Sequence, residues 1–336
     1  MSKNTSSILP DVSWKERFYR SMIGFGVKFS RRSDGTINRC IMNFFDFKAP
    51  PSKQPLDGVK SFDTMVDPTR NLWFRLYVPS ASTSTTNVPV IVYFHGGGFA
   101  YMSAGSVGCD NLCRRLSKQT GAVIVSVNYR LSPEHRYPCQ YEDGFDVLKF
   151  IDINNTNLEG FPLYANLNQC FIAGDSAGGN LAHHVTVKAC EYELRNMKFI
   201  GLIAIQPFFG GEERTESEIR LVDGPVLSVK GTDWLWNAFL PQGSDRDHPA
   251  SNIFGPKSVD ISRLKFPATI VFVGGLDPLH DWQIRYYEGL KKCEKEAYLI
   301  EYPNAIHSFY GDPGLPETGL FMEDVNDFIQ KQSANK

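Results

Sequence analysis

A pentapeptide of the G-x-S-x-G type, Gly174 to Gly178, is the strongest indication of chemistry in this 336-residue chain. It follows the apolar run Cys170 to Ala173 and precedes a helix-like stretch that starts at Gly179. Between a strand and a helix, this pattern forms a nucleophile elbow, a tight turn that holds a serine hydroxyl above the end of a sheet. Ser176 is therefore the predicted nucleophile.

A glycine-rich loop, His95 to Phe99, directly follows another apolar run, Val90 to Phe94. Glycines at the end of a strand can direct backbone N–H groups at a negatively charged oxygen. The expected donors of such an oxyanion hole are the amides of Gly97, Gly98 and Ala177. A phosphate site is disfavoured, because neither G-x-G-x-x-G nor a Walker lysine accompanies the loop.

A serine nucleophile needs a general base and an acid that orients it, and their order along the chain selects both. His307 lies in a loop after the last apolar run, and Asp277 lies just past the run that ends at Val273. Asp281 is the competing carboxylate, and we expect it to cap the following helix instead. The remaining histidines are expected in structural or more distant positions: His95, His135, His183, His184, His248 and His280.

Together these residues predict acyl transfer to a serine. His307 would remove the proton of Ser176, and Asp277 would hold the imidazole and stabilise its charged form. The oxyanion amides would stabilise the tetrahedral intermediate, and water would then hydrolyse the acyl-enzyme. This chemistry requires no cofactor and no metal ion.

The elements that must position these residues alternate between strand-like and helix-like along the chain, which predicts a mostly parallel, doubly wound α/β sheet. Apolar runs predict strands over residues 72–78, 90–94, 122–127, 170–173, 199–205, 268–273 and 298–302. Helices are predicted over residues 110–119, 142–153, 178–190, 281–293 and 317–330. Parallel strands would bring the serine, the aspartate and the histidine to one edge of the sheet.

Two segments interrupt the alternation. Residues 1–60 contain an amphipathic helix, predicted to end near Gly26, that either packs on the domain surface or covers a pocket as a lid. Residues 210–264 are inserted between two strand signals and are expected to form part of a substrate cap. The predicted organisation is a lid over 1–60 and a hydrolase domain over 61–336 that contains this cap insertion.

Composition and charge narrow the range of partners. The chain is 42% hydrophobic and 21% charged, with a formal charge of -2 and no basic stripe, so nucleic acid and anionic membranes are disfavoured. Seven scattered cysteines without a C-x-x-C pair favour reduced thiols over disulfides or zinc. No secretory signal and no membrane-spanning run is visible, so we expect a cytoplasmic protein, with the nucleus left open. Monomer and homodimer are not distinguished.

These motifs resemble the plant carboxylesterase family related to hormone-sensitive lipases, and the resemblance covers nearly the whole chain. Besides the elbow and the HGGG loop, it rests on Arg32 to Arg39, Pro55 to Val59, Tyr129 to His135 and Asp245 to Pro249. The resemblance implies an α/β-hydrolase fold and hydrolysis of small to medium carboxylic esters. It also implies that residues 1–60 fold over the pocket.

Within that family the chain is most similar to the branch containing the gibberellin receptors, which share a motif like Gly210 to Glu218. Those receptors are non-hydrolytic, with an aliphatic residue at the position of His307 and a serine at that of Gly98. This chain has a histidine and a glycine at these positions, so both features that catalysis requires are present. By the resemblance, Tyr129 and Tyr310 line the substrate pocket, and Asp175 is expected there as well.

Two alternatives to a simple esterase remain open. One is a gibberellin-receptor-like protein that binds a ligand without hydrolysing it and recruits a protein partner through the lid. The other is a specialised plant enzyme in which ester cleavage triggers decarboxylation or elimination. We expect a small-molecule ester as the partner of this chain rather than another protein.

Overall fold

The computed structural model describes residues 13–80 and 87–334. An eight-stranded sheet forms the centre of this part of the chain, in the order β1-β2-β4-β3-β5-β6-β7-β8. The strands are β1 Val59–Asp67, β2 Leu72–Pro79, β3 Val88–Phe94, β4 Val123–Asn128, β5 Ala165–Asp175, β6 Phe199–Ile205, β7 Ala268–Leu276 and β8 Ala297–Ile306. β2 pairs antiparallel with both β1 and β4, whereas the pairs from β4 to β8 are parallel. The predicted mostly parallel sheet is confirmed.

Helices cover both faces of the sheet. They are α1 Trp14–Ser30, α2 Arg39–Phe45, α3 Val107–Thr120, α4 Cys139–Asn154, α5 Ala177–Glu191, α6 Glu216–Arg220, α7 Val229–Phe239, α8 His280–Lys292 and α9 Pro316–Ala334. Along β3, Val90 and Val92 pack in the core on one face, and Ile91 and Tyr93 pack in the core on the other. Because both faces are buried, the strand is apolar throughout rather than alternating.

The sheet reverses its winding at β3, which lies between β4 and β5. In open α/β sheets, the crevice beyond the carboxyl ends of the strands at such a switch point is the usual position of a ligand site. Phe94, the last residue of β3, pairs with Gly174 near the end of β5. The loop that starts at His95 and the turn that holds Ser176 therefore lie side by side.

The first helix extends beyond its predicted end. α1 continues through Gly26 to Ser30, and Arg31 is already in extended backbone. Gly26 is buried, and a Cβ at this position would lie 2.7 Å from Cβ of Phe45. The glycine thus allows α2 to pack closely against α1 rather than ending the helix.

The expectation that Asp281 caps α8 is also wrong. α8 begins at His280, its cap residue is Leu279, and Asp281 lies inside the first turn. The carboxylate of Asp281 instead accepts a hydrogen bond from the backbone N–H of Ser217, at 2.8 Å. Asp281 therefore ties α8 to the segment inserted after β6.

None of the helices in the two described ranges is long and apolar enough to cross a bilayer.

Candidate active site

Ser176 lies between the end of β5 and the start of α5, in a backbone conformation with φ 54° and ψ -119°. A positive φ is unfavourable for a non-glycine residue and is held here by close packing. A Cβ on Gly178 would lie 1.9 Å from the carbonyl oxygen of Phe94, so this position must be glycine. The predicted strand–turn–helix context of the pentapeptide is confirmed.

Asp277 and His307 lie next to each other because of the strand register. Leu276 at the end of β7 pairs with Ile306 at the end of β8, and the two candidate residues come directly after them. Nδ1 of His307 is 2.7 Å from Oδ2 of Asp277, and Nε2 of His307 is 3.1 Å from Oγ of Ser176. A carboxylate only accepts hydrogen bonds, so the proton lies on Nδ1 and Nε2 is free to accept from the serine.

Asp277 is fully buried, and neutral donors surround its carboxylate. Oδ1 accepts from the backbone N–H of Leu279 at 2.9 Å. Oδ2 accepts from Nε2 of Gln206 at 3.0 Å and from Nε2 of Gln283 at 2.9 Å, in addition to His307. A buried charge without such partners would be costly, so these donors allow an ionised carboxylate to remain inside the protein.

The two glutamines were missed by the sequence reasoning. Gln206 directly follows the apolar run of β6, and a polar residue at the carboxyl end of a strand between the serine and aspartate strands could have been noticed. Gln283 lies on α8, and nothing in the sequence sets it apart from an ordinary helix residue. Its contact with Asp277 depends on the path of the whole helix.

The glycine loop passes beside the elbow with φ +104° at Gly97 and +61° at Gly98. A Cβ on Gly97 would lie 2.3 Å from the carbonyl oxygen of Tyr101, and one on Gly98 would lie 2.4 Å from Cδ1 of Leu235. Within residues 13–80 and 87–334, the amides of Gly97, Gly98 and Ala177 donate no hydrogen bond. They are available as donors to a ligand, although their role in an oxyanion hole stays a prediction.

Asp175 connects three loops of this region. Its carboxylate accepts from the hydroxyl of Tyr93, from the backbone N–H of Gly96 at 2.8 Å and from the hydroxyl of Tyr310 at 2.8 Å. The surrounding protein withdraws water from this carboxyl and raises its pKa above the ordinary value, while these hydrogen bonds oppose the change. The elbow, the glycine loop and the segment after His307 are thus joined at one carboxylate.

The three predicted pocket residues differ in exposure. Asp175 is partly exposed, whereas Tyr129 and Tyr310 are buried. Tyr129 donates its hydroxyl proton to the carbonyl oxygen of His95 at 2.7 Å, and its ring stacks on the His95 ring. All three lie around the loops that carry the candidate catalytic residues, and their contact with a substrate stays a prediction.

The N-terminal helix reaches the same region. Arg20 donates from Nη2 to the carbonyl oxygen of Ser308 at 3.1 Å. Arg31, directly after α1, donates to the hydroxyl of Tyr101 at 2.8 Å and lies 4.3 Å from the centre of the Trp234 ring on α7. The segment after β6 and the N-terminal segment therefore meet at Tyr101, two residues beyond the glycine loop.

A cavity of about 260 Å³ lies beside this junction, away from the candidate catalytic side chains. It is lined by Asp34, Gly35, Thr36, Pro133, Glu134, Arg136, Trp234, Asn237 and Ala238. None of the predicted site residues is among them.

Across the described ranges, no group of three or more histidine, cysteine, aspartate or glutamate side chains is arranged to hold a metal ion.

The sheet, the elbow at the end of β5 and the side chains after β7 and β8 define the class of the protein as an α/β hydrolase. A family model described as the alpha/beta hydrolase fold matches residues 91–311. The chain belongs to this family, and the predicted fold class is confirmed.

Known proteins are similar over most of the chain. A gibberellin receptor of Arabidopsis thaliana is 44% identical, over 90% of each chain. Carboxylesterase 20 of the same plant is 38% identical, over 88% of this chain and 93% of its own. Among solved structures, an esterase of Pyrobaculum calidifontis is 27% identical with a TM-score of 0.70, covering 95% of this chain and 92% of the esterase. The resemblance inferred from the motifs, to plant carboxylesterases and to gibberellin receptors, is confirmed.

Proposed function

We propose that the protein is a carboxylesterase that hydrolyses small to medium esters through an acyl-enzyme on Ser176. The observation that carries the proposal is the continuous hydrogen-bonded series from Oγ of Ser176 through the His307 imidazole to Oδ2 of Asp277, with distances of 3.1 and 2.7 Å. The similarity to carboxylesterase 20 and to the Pyrobaculum esterase supports an ester as the substrate.

In the first half-reaction, Oγ of Ser176 attacks the ester carbonyl while its proton moves to Nε2 of His307. Asp277 holds the ring and stabilises the imidazolium that forms. The carbonyl oxygen becomes negatively charged and is stabilised by the amides of Gly97, Gly98 and Ala177. His307 then donates its proton to the leaving alcohol, and the acyl group stays on the serine.

In the second half-reaction, a water molecule takes the place of the alcohol. His307 removes its proton, and the resulting hydroxide attacks the acyl-enzyme carbonyl at the same oxyanion site. The proton returns from His307 to Oγ of Ser176 as the carboxylic acid leaves. The two half-reactions together convert one ester and one water molecule into an alcohol and a carboxylic acid.

We assign the substrate boundary to residues 1–60 as a lid and to residues 210–264 as a cap. The hydrogen bond of Arg20 to Ser308 and the position of Arg31 over the Trp234 ring support this assignment, because they join α1 and the residue after it to the histidine loop and to α7. Residues 1–12 of the assigned lid lie outside the described residues. Asp175, Tyr129 and Tyr310 are the assigned pocket residues.

The seven free cysteines support action in the reducing cytoplasm, with the nucleus left open.

The test is a burst-phase assay with p-nitrophenyl acetate on the purified protein and on Ser176→Ala and His307→Ala. Wild-type protein should show one equivalent of rapid product release followed by steady turnover. Each variant should lower turnover by at least about 10³-fold, because the residues of a triad act together. His280→Ala is the matched control, because this histidine lies three residues from Asp277 but pairs with Asp281 and Glu301. It should retain turnover.

Folded wild-type protein without turnover would contradict the proposal. The 44% identity to a gibberellin receptor makes non-hydrolytic binding the second candidate. Titration calorimetry with a gibberellin would then show saturable binding that persists in Ser176→Ala. Hydrolysis confined to one complex plant ester, with no reaction of simple esters, would instead indicate the specialised enzyme.

A further inference from the structure

Gln206 occupies the position directly after β6, the strand that lies between the serine strand β5 and the aspartate strand β7. It is fully buried, and its φ of +41° is unusual for a residue with a side chain. Its backbone N–H donates to the carbonyl oxygen of Phe272 on β7 at 2.9 Å. Strain that the surrounding structure maintains at such a position is a reason to look for a functional role.

The carboxamide of Gln206 contacts the candidate acid Asp277 and the backbone on both sides of the candidate base His307. Nε2 donates to Oδ2 of Asp277 at 3.0 Å and to the carbonyl oxygen of Ile306 at 3.2 Å. Oε1 accepts from the backbone N–H of Ser308 at 2.7 Å. One amide group thus binds the acid and the residues on both sides of His307.

The orientation of this amide is fixed by its partners. The backbone N–H of Ser308 can only donate, so the oxygen of Gln206 must face it. The nitrogen must then face Asp277 and the carbonyl oxygen of Ile306, both of which only accept. A Cβ on Gly274 would lie 2.5 Å from this nitrogen, so the amide occupies space that a glycine leaves free.

We propose that Gln206 is a positioning residue that holds the Asp277 carboxylate and the backbone on both sides of His307 in one fixed arrangement. The inference rests on the proposed esterase function. During the reaction the imidazole alternates between neutral and charged forms, which would otherwise pull the aspartate and the histidine loop towards and away from each other. A neutral amide bound to both loops keeps Nδ1 aligned with Oδ2 through both states.

Gln283 provides the contrast. Its Nε2 also donates to Oδ2 of Asp277, at 2.9 Å, but the structure shows no hydrogen bond from it to the histidine loop among the described residues. It shares with Gln206 the stabilisation of the buried carboxylate. It lacks the bridge that the proposal assigns to Gln206.

The variant for the test is Gln206→Met, which keeps the length of the side chain and removes its hydrogen bonds. We expect kcat/KM per active site to fall by about 10- to 100-fold, because small displacements of reacting groups cost this much. The loss should lie in kcat, with KM for p-nitrophenyl acetate within about twofold of wild type, because Gln206 does not touch the substrate.

The pH profile separates positioning from a general loss of stability. Without the amide, the negative charge of Asp277 concentrates on the oxygen that faces His307 and favours the imidazolium. The acidic limb of kcat/KM should therefore move to higher pH, because the base must be neutral to act. Besides Asp277, the charged or titratable groups of the described residues that face the histidine loop are Asp175, Tyr310 and Arg20, and the variant leaves all three unchanged.

Two matched variants complete the design. Gln283→Met should move the acidic limb in the same direction, because it also removes a donor from Asp277, but should reduce kcat less. Gln140→Met removes another fully buried amide, which donates to the carbonyl oxygen of His135. It should leave the pH profile unchanged. If Gln206→Met does not fold, Gln206→Asn replaces it, because the shorter amide cannot reach both loops.

Proton NMR of the folded proteins gives a readout that does not need turnover. The Nδ1 proton of His307 should give a downfield signal that shifts or broadens in Gln206→Met and stays in place in Gln140→Met. An unchanged signal in Gln206→Met would overturn the inference. An unchanged pH profile together with the wild-type kcat per active site would overturn it as well. If wild-type protein shows no burst, the proposed function fails and the NMR signal alone decides the role of Gln206.

Discussion

Arg20 of α1 donates a hydrogen bond to the carbonyl oxygen of Ser308, the residue that follows His307, at 3.1 Å. Glu16, one turn earlier, holds the same guanidinium through Nε at 2.9 Å. The N-terminal helix is therefore attached to the loop that carries the proposed general base. We therefore expect α1 to affect the proposed chemical step.

Arg20→Met should lower kcat by roughly 3- to 10-fold, because the histidine loop loses a hydrogen bond from a charged group. Lys28→Met is the matched control, since Lys28 is an exposed residue on the same helix. Steady-state kinetics with p-nitrophenyl acetate measures both. Equal rates in the two variants would mean that the attachment has no effect on catalysis.

Gly98→Ala should lower kcat by about 10²-fold, comparable to the loss of one oxyanion donor. The added Cβ would lie 2.4 Å from Cδ1 of Leu235, and the φ of +61° disfavours a side chain by roughly 1–2 kcal/mol. The loop must therefore move. The measurement is kcat of Gly98→Ala, Leu235→Ala and the double variant.

In that series the double variant should recover part of the lost rate, because Leu235→Ala removes the atoms in the way. The strained backbone remains, so recovery should be incomplete. A double variant no faster than Gly98→Ala would show that contact with α7 does not determine the position of the glycine loop.

Asp175→Ala should lower the free energy of unfolding by about 3 kcal/mol, because three donors lose their acceptor at about 1 kcal/mol each. The donors are Tyr93, Gly96 and Tyr310. Tyr310→Phe removes a single hydroxyl and should cost about 1 kcal/mol. Urea denaturation measures both values, and equal losses would contradict the idea that this carboxylate joins three loops.

The sequence was sufficient for the elements whose pattern is local. The run predicted over 199–205 is β6, and the run over 90–94 lies within β3. The elbow was also predictable, because the glycines that make room for its backbone lie within two residues of Ser176. His307 and Asp277 required one further assumption, the order of catalytic residues in a doubly wound sheet.

The remaining features depend on contacts between distant parts of the chain. A glycine often ends a helix. At Gly26, however, Phe45 of α2 packs against the glycine and the helix continues. Asp281 finds its partner Ser217 64 positions away. The bridge from Gln206 to Ser308 spans 102 positions. None of these pairs leaves a repeating pattern, so the sequence gives no basis for choosing them.

Two buried histidines should make stability depend on pH below neutrality. His95 is fully buried, and burial lowers its pKa to about 4 from an ordinary value of 6.5. Burial also lowers the pKa of His183 well below 6.5. Between pH 6.5 and 4 the unfolded chain therefore binds more protons than the folded protein, so stability is complete above pH 6.5 and falls as the pH drops. Each such histidine corresponds to at most about 1.4 kcal/mol per pH unit, and His184, whose pKa burial lowers to about 3, contributes in the same direction.

Urea denaturation at pH 7.0, 6.0 and 5.0 measures this dependence on wild-type protein and on His183→Phe. The phenylalanine keeps a ring between Phe209 and Tyr286 and removes one titrating group. Its stability should be lower at pH 7.0, because the hydroxyl of Tyr286 loses the partner it has 3.2 Å away. The decline of its free energy of unfolding towards pH 5.0 should nevertheless be shallower, by up to about 1.4 kcal/mol per pH unit. Parallel declines in the two proteins would show that burial of His183 does not contribute to the acid sensitivity.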